Sequence, residues 1–261
     1  MSEDAQAGAV TEGSGEEQSR APDGASRRGF LRAIAIAGGG LALGAGVGRV
    51  MADPASATVR PKTAKEIADA LLEGNRRFAS GASQHPHLSA EVRAQQATKQ
   101  TPFAAVLACA DSRVAPELVF GQGIGDLFVV RVAGNTATAE AVASLAYAVE
   151  HLGVGFIMVL GHESCGAVKA TVEAVASGKS AGELEVLVGP IRPAVKSVAD
   201  RNREPTEVLS DAVEANARLA ASGLHRASAI LEEAIERRKL TIQAATYSVR
   251  TSLVTPLTTV A

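Results

Sequence analysis

Two short motifs in this chain carry side chains that can bind a metal ion: Cys109-Ala-Asp111-Ser-Arg113 and His162-Glu-Ser-Cys165. They contain both cysteines of the chain, together with an imidazole, carboxylates and a guanidinium. Zinc binds thiolate and imidazole ligands in tetrahedral geometry, and three protein ligands leave a fourth position for water or substrate. The residue types and their spacing therefore predict that Cys109, His162 and Cys165 bind Zn²⁺.

Asp111 and Arg113 are two residues apart, so their side chains can form a charge-assisted ion pair beside the metal. An unpaired carboxylate in that place would bind zinc itself and close the fourth position. Arg113 can hold Asp111 away from the ion, and Asp111 can then accept a hydrogen bond from the group bound there. We therefore predict catalytic roles for both.

Glu163, between two of the ligands, either orients His162 or faces water, and the sequence does not decide between these roles.

The elements that must position these motifs are short strands. Apolar runs at 103–108 and 155–160 each precede one motif, and such runs are typical of buried strands. A helical pattern at 137–152 separates the second run from another at 127–130. Alternating strands and helices favour a parallel sheet, and open α/β sheets form their sites beyond the carboxyl ends of strands. We expect an α/β fold: a single domain with a mainly parallel central β-sheet flanked by helices.

The flanking segments predict further elements. Residues 65–79 form an amphipathic pattern, which indicates an N-terminal helical arm. Its apolar face consists of Ile67, Leu71, Leu72 and Phe78. A long helical stretch is predicted over about 211–239, followed by a last strand at 240–245, whereas 178–205 contains Gly and Pro and indicates irregular loops around a short helix. The arm has no obvious partner within such a compact sheet, and this favours at least a dimer.

The two motifs, in this order and at this approximate spacing, resemble those of the β-class carbonic anhydrases. The likeness runs from Lys65 to the end of the chain and is strongest over 100–170. Four further segments carry it: 125–131, 133–135, 144–149 and 159–162. The resemblance implies a zinc enzyme that catalyses the reversible hydration of CO₂ to bicarbonate and a proton.

The two thiolate ligands bear on the pH dependence of this chemistry. Zinc lowers the pKa of bound water to about 7, which provides a nucleophile for the carbon of CO₂ near neutral pH. Two thiolates donate more negative charge than imidazoles would, so the zinc should be a weaker acid than one held by three histidines. We predict an activity that increases toward alkaline pH.

Three further positions match residues that line the substrate pocket in many members of the family: Gln100, Phe128 and Tyr147. The resemblance implies that Gln100 donates a hydrogen bond to the developing oxyanion, while Phe128 and Tyr147 form an apolar wall suited to CO₂. Family members are dimers or larger, with pockets at the subunit interface. A homodimer or higher homo-oligomer is therefore implied as well.

Other functions stay open at this point. The same zinc chemistry could hydrolyse COS or CS₂, in which the nucleophile attacks a different cumulated molecule. A non-enzymatic metal or redox module, in which Cys109 and Cys165 store zinc or react with oxidants, is the alternative from another class. Taken alone, the two cysteines are more typical of buried apolar residues or a disulfide than of metal ligands. The Asp111–Arg113 pair argues against it, since metal storage needs no guarded open position.

The first part of the chain indicates export. Residues 1–57 begin with a polar, Gly- and Glu-rich stretch that cannot form a core and that we expect to be disordered. The twin arginines in Ser26-Arg-Arg-Gly-Phe-Leu-Arg32, followed by a mildly apolar run at 33–47, resemble a Tat signal read by the Tat export machinery. Ala55-Ser-Ala57 offers a cleavage site. We expect a periplasmic, cell-envelope or extracellular protein, with the signal either cleaved or retained as a membrane anchor.

Composition separates the leader from the rest of the chain. Residues 58–261 carry 21 acidic and 21 basic side chains, so their formal net charge is zero. Nothing in this balance suggests nucleic-acid binding, which depends on clustered positive charge. We therefore predict one catalytic domain over 58–261, long enough to form one substantial core.

Overall fold

The computed structural model describes residues 60–200 and 203–259. The predicted leader, its twin arginines Arg27 and Arg28, and the Ala55–Ala57 cleavage site lie outside the described residues. Within the described part of the chain, the helices are too short or too polar to cross a lipid bilayer.

The described residues form a five-stranded sheet in the order β2-β1-β3-β4-β5. The strands are β1 (Ala104–Ala108), β2 (Leu127–Arg131), β3 (Phe156–His162), β4 (Thr241–Tyr247) and β5 (Val254–Thr259). The first four are parallel to their neighbours, whereas β5 pairs antiparallel with β4 at the edge. The prediction of a mainly parallel sheet is confirmed, and the antiparallel edge strand β5 was not predicted from the sequence.

Helices connect and flank these strands. They are α1 (Ala64–Ala79), α2 (Ala90–Gln96), α3 (Pro116–Val119), α4 (Ala139–Leu152), α5 (Gly166–Ser177), α6 (Glu185–Val198), α7 (Pro205–Ala227) and α8 (Ala229–Glu236). Local sequence explains where several of them begin and end. At the start of α1, the Thr63 hydroxyl accepts from the Glu66 N–H and the Glu66 carboxylate accepts from the Thr63 N–H, which forms a capping box. Gly153 ends α4 in the left-handed conformation, at φ 71°.

Each face of the sheet has its own apolar core. One face packs against α4, α7 and α8 through alternate strand residues such as Leu107 and Val159. The opposite face uses the intervening residues, including Val106 and Met158. This alternation explains why β1 and β3 are continuous apolar runs: strands covered on both sides bury every side chain.

The predicted N-terminal arm is present as α1, but it has a partner in its own chain. Ile67 and Leu71 are buried in the second core, together with Val106, Phe120 and Met158. The expectation that the arm lacks a partner within the sheet is therefore wrong. The sequence pattern showed an apolar face without showing what covers it.

Two predicted boundaries also differ from the structure. The helical stretch over 211–239 is two helices, because Ser228 is extended (φ −147°, ψ 121°) and its side chain caps α8. The segment at 178–205 contains a full helix, α6, despite Pro190 and Pro193 inside it. Prolines usually break helices, which is why the sequence predicts irregular loops around only a short helix there.

Candidate metal site

The two motifs meet at the carboxyl edge of the sheet. Cys109 directly follows β1, and His162 is the last residue of the neighbouring parallel strand β3. Cys165 comes three residues later, at the N-cap position of α5. Parallel pairing of β1 with β3 therefore brings the two halves of the cluster together, as the sequence predicted.

The three predicted ligands form a compact, buried cluster. Cys109 Sγ lies 4.0 Å from Cys165 Sγ. The sulfur atoms and a ring nitrogen of His162 all lie within 4.8 Å of one another. Zn–S bonds of about 2.3 Å in tetrahedral geometry separate two sulfurs by roughly 3.8 Å, so the observed spacing suits zinc.

The orientation of His162 also suits a metal. Its Nδ1 lies 3.0 Å from the Glu163 carbonyl oxygen, which can only accept, so Nδ1 carries the proton. In the neutral imidazole, Nε2 then carries the lone pair. That atom is buried and has no hydrogen-bond partner within the described residues. An unpaired buried nitrogen is costly, and a metal ligand role satisfies it.

The charges of the two thiols are linked. The hydrogen bond from Cys165 lowers the pKa of Cys109, and the His162 ring and the Gly134 N–H act in the same direction. The hydrogen bond with Cys109, together with burial and the charge on Cys109, raises the pKa of Cys165. The pair thus carries one negative charge readily and needs a cation beside it to carry the second.

The predicted Asp111–Arg113 pair forms next to the cluster. Arg113 Nε and Nη2 donate to the two carboxylate oxygens of Asp111 at 2.9 and 2.8 Å. These hydrogen bonds hold the pKa of Asp111 well below its usual range. The second oxygen, Oδ2, is also 4.0 Å from His162 Nε2. Asp111 is therefore ionised at the border of the ligand cluster while its carboxylate is bound to the guanidinium.

Cys109 is held by hydrogen bonds that the sequence does not predict. The Gly134 N–H donates to Cys109 Sγ at 3.2 Å, and Gly134 adopts φ 73°, a conformation that favours glycine. Asn216, buried on α7, donates from Nδ2 to the Gly134 carbonyl oxygen at 2.7 Å. Arg131 Nε donates to the Cys109 carbonyl oxygen at 2.9 Å. In the sequence, Asn216 could have been noticed as a polar residue among small apolar residues within a predicted helix.

Glu163 has a defined environment as well. Its carboxylate accepts hydrogen bonds from the Ser248 hydroxyl at 2.8 Å and from Arg250 Nη2 at 2.9 Å. These bonds lower the pKa of Glu163 below its ordinary value. The sequence left open whether this side chain faces water, and the structure shows it bonded to the loop between β4 and β5.

The three predicted pocket residues lie away from the thiols within one chain. Gln100 is exposed in the segment before β1, whereas Cys109 follows the other end of that strand. Phe128 lies in register with Ala105, four residues before Cys109, and its ring centroid is 6.4 Å from that of Tyr147 on α4. A single chain therefore does not bring these residues to the ligand cluster, and their role stays a prediction.

Similarity to known proteins supports a metal site at these residues. A model of the carbonic anhydrase family matches residues 104–254, which include all three candidate ligands. Carbonic anhydrase 2 of Mycobacterium tuberculosis is 48% identical over 130 residues, which make up 50% of this chain and 60% of that protein. The chain thus spans less than two thirds of the length of this relative.

Solved structures share the fold. A Coccomyxa β-carbonic anhydrase, solved in complex with acetazolamide, superposes with a TM-score of 0.56 at 26% identity, over 74% of this chain and 82% of that one. A structure from Sordaria macrospora, described as one of two tetrameric β-carbonic anhydrases, has a TM-score of 0.56 at 24% identity and covers 76% of this chain and 100% of that one.

Proposed function

We propose that this chain, which belongs to the carbonic anhydrase family and to its β class, catalyses the reversible hydration of CO₂ to bicarbonate and a proton. The observation that carries the proposal is the buried cluster of Cys109, His162 and Cys165. Its donor types, spacing and unpaired Nε2 fit zinc. When bound there, zinc supplies a Lewis acid that generates a nucleophile from water near neutral pH.

The residues of the chain contribute orientation and charge. The Glu163 carbonyl oxygen holds the His162 ring, and the Gly134 N–H stabilises negative charge on Cys109. Asp111, kept ionised by Arg113, provides a hydrogen-bond acceptor at the border of the cluster. An ionised carboxylate in that position can orient a water molecule or accept its hydrogen bond before CO₂ is attacked.

The decisive experiment combines metal analysis with three assays on the purified full chain. We expect one zinc ion per chain, CO₂ hydration that increases toward alkaline pH, and much weaker turnover of COS and CS₂. Cys165→Ser should lose both zinc and activity, because hard oxygen ligands hold zinc less firmly than thiolates. A zinc-containing chain that hydrolyses COS or CS₂ and leaves CO₂ unchanged would contradict the proposal.

We also propose that the enzyme is a homodimer or larger assembly. Gln100, Phe128 and Tyr147 match pocket positions of the family but lie away from the thiols in one chain. Tyr147 is 47% exposed, so it is available to a second subunit. The tetrameric relative from Sordaria macrospora supports an assembly on the same fold.

Export is a further proposal, and it rests on the sequence. Arg27 and Arg28 followed by a mildly apolar run resemble a Tat signal, which the Tat export machinery would recognise. That pathway carries folded proteins, so zinc can be bound before export and can protect the two thiolates from oxidation. Cell fractionation that finds the chain only in the cytoplasm would contradict this proposal.

A further inference from the structure

Glu163 contacts the rest of the protein through both its side chain and its backbone. Its Oε2 accepts from the Ser248 hydroxyl at 2.8 Å and from the Arg250 N–H at 3.3 Å, and its Oε1 accepts from Arg250 Nη2 at 2.9 Å. Its own N–H donates to the Tyr247 carbonyl oxygen at 2.8 Å. The remaining backbone group, the carbonyl oxygen, accepts from His162 Nδ1. One residue thus links the end of β4 to the imidazole of a metal ligand.

The turn that contains Glu163 needs such support. Ser164 adopts φ 56°, the left-handed region that non-glycine residues rarely occupy. This residue connects Glu163 to Cys165, so its conformation determines where the second thiol lies relative to His162. Strained backbone persists where its surroundings hold it in place. Here those surroundings include the hydrogen bonds of Glu163 to Ser248 and Arg250, and Arg113 Nη2 also donates to the Ser164 carbonyl oxygen at 3.5 Å.

We propose that Glu163 is a positioning residue for the metal site. Its carboxylate, held by Ser248 and Arg250, fixes the carbonyl oxygen that orients His162, so that Nε2 faces the two thiols before metal binds. This inference rests on the proposed function, because it assumes that the cluster binds zinc. It goes beyond that function by assigning the rigidity of the site to residues of the loop between β4 and β5.

The hydrogen bonds of Glu163 to Arg250 and to Ser248 should contribute differently to its position. The Arg250 side chain is 82% exposed, whereas that of Glu163 is 32% exposed. Exposed ion pairs contribute little to stability. The Ser248 hydroxyl bond is part-buried, and the Ser248 oxygen also accepts from the Thr251 N–H, which ties the carboxylate to the backbone of the loop. Most of the positioning should therefore come from Ser248.

The test compares zinc release from the full chain into excess chelator. Residues that orient metal ligands typically change metal affinity about 10- to 100-fold when they are replaced, so we expect Glu163→Ala to release zinc about 10 to 100 times faster than the wild type. Glu163→Gln keeps one acceptor oxygen and should give a smaller increase. Arg250→Ala should change the rate less than about fivefold, since it removes an exposed pair.

A control and a second readout separate positioning from general stability. Glu233, paired with Arg237 on the exposed surface of α8, offers the matched variant Glu233→Ala, which should leave the release rate unchanged. Replacing zinc with Co²⁺ reports the ligand geometry directly, and we expect altered cobalt absorption bands in Glu163→Ala but not in Glu233→Ala. If Glu163→Ala does not fold, Glu163→Gln, which is nearly isosteric, decides the question by the same two measurements.

The outcomes distinguish this inference from the proposed function. Wild-type release rates and unchanged cobalt bands in the Glu163 variants would overturn the inference alone. A wild-type chain that binds zinc without hydrating CO₂ would overturn the proposed function, while the release rates would still decide the role of Glu163. A wild-type chain that binds no zinc would overturn both.

Discussion

The metal site contains three ligand side chains and one carboxylate, that of Asp111, which is bonded to Arg113. The sulfur atoms of Cys109 and Cys165 lie 4.0 Å apart, and two thiolates at that spacing are strong ligands for a divalent ion such as zinc. Asp111 Oδ2 lies 4.0 Å from His162 Nε2, but the two oxygens of Asp111 are bonded to Arg113. Ligand loss and carboxylate loss should therefore have different effects on the protein.

Replacing Asp111 by Asn tests the role of the guarded carboxylate. All three ligands remain, so we expect Asp111→Asn to retain one zinc ion per chain. Turnover should fall about 100-fold, because an amide has one acceptor oxygen in place of two and directs N–H groups toward Arg113 or the cluster. Zinc analysis and the CO₂ hydration rate, measured on the same preparation, check both statements.

An exposed aspartate on α1 provides the control for that variant. Asp69 pairs with Lys65 on the surface of the helix, so Asp69→Asn should keep wild-type zinc content and turnover. If Asp111→Asn turned over CO₂ as fast as the wild type, the guarded position would have no catalytic use. A wild-type chain that binds zinc without hydrating CO₂ is the result that would favour the non-enzymatic zinc module.

Among the secondary-structure elements, α7 has a direct link to the metal site. Its buried Asn216 holds the carbonyl oxygen of Gly134, and the N–H of the same glycine reaches Cys109 Sγ. The turn at Ala133–Asn135 thus lies between a long helix and a ligand. A change in α7 can reach the thiolate through two hydrogen bonds.

The Asn216→Ala variant tests this link. It removes the donor to the Gly134 oxygen and leaves a buried acceptor without that bond, a loss that typically costs about 1–3 kcal/mol. We expect a urea unfolding midpoint lowered accordingly, measured at fixed zinc concentration with an unchanged m-value. Glu214→Ala, on the exposed side of the same helix, should change stability by less than about 0.5 kcal/mol. Equal effects of the two variants would argue against a specific role for Asn216.

At the scale of the whole molecule, the arrangement of the pocket residues bears on the oligomeric state. Gln100 precedes β1 and Cys109 follows it, so one chain keeps this pair at opposite ends of the strand. If Gln100, Phe128 and Tyr147 act on the substrate, a second subunit has to bring them to the cluster. We expect sedimentation velocity to give a dimer or larger species, and turnover per chain to fall when dilution produces monomers. A fully active monomer would contradict this arrangement.

The features that could be predicted from the sequence are those that depend on residues close together in the chain. The ligands, the Asp111–Arg113 pair and strands β1 to β4 follow from residue types and apolar runs, which are local properties of the chain. Edge strand β5 was missed because Pro256 lies within it, and proline is tolerated at a sheet edge where no ladder donor is required. The helix predicted within 178–205 is longer than expected, because α6 continues through Pro190 and Pro193.

The sequence by itself determined that two thiolates, an imidazole and a guarded carboxylate would meet at the carboxyl edge of a parallel sheet. Only the tertiary structure decided what holds them there. Glu163 accepts hydrogen bonds from Ser248 and Arg250, and Gly134 accepts one from Asn216. Helix α1 packs on the sheet. Each of these contacts joins residues that are far apart in the chain. Such contacts depend on how distant elements pack, and local periodicity carries no information about which distant group will satisfy a polar side chain.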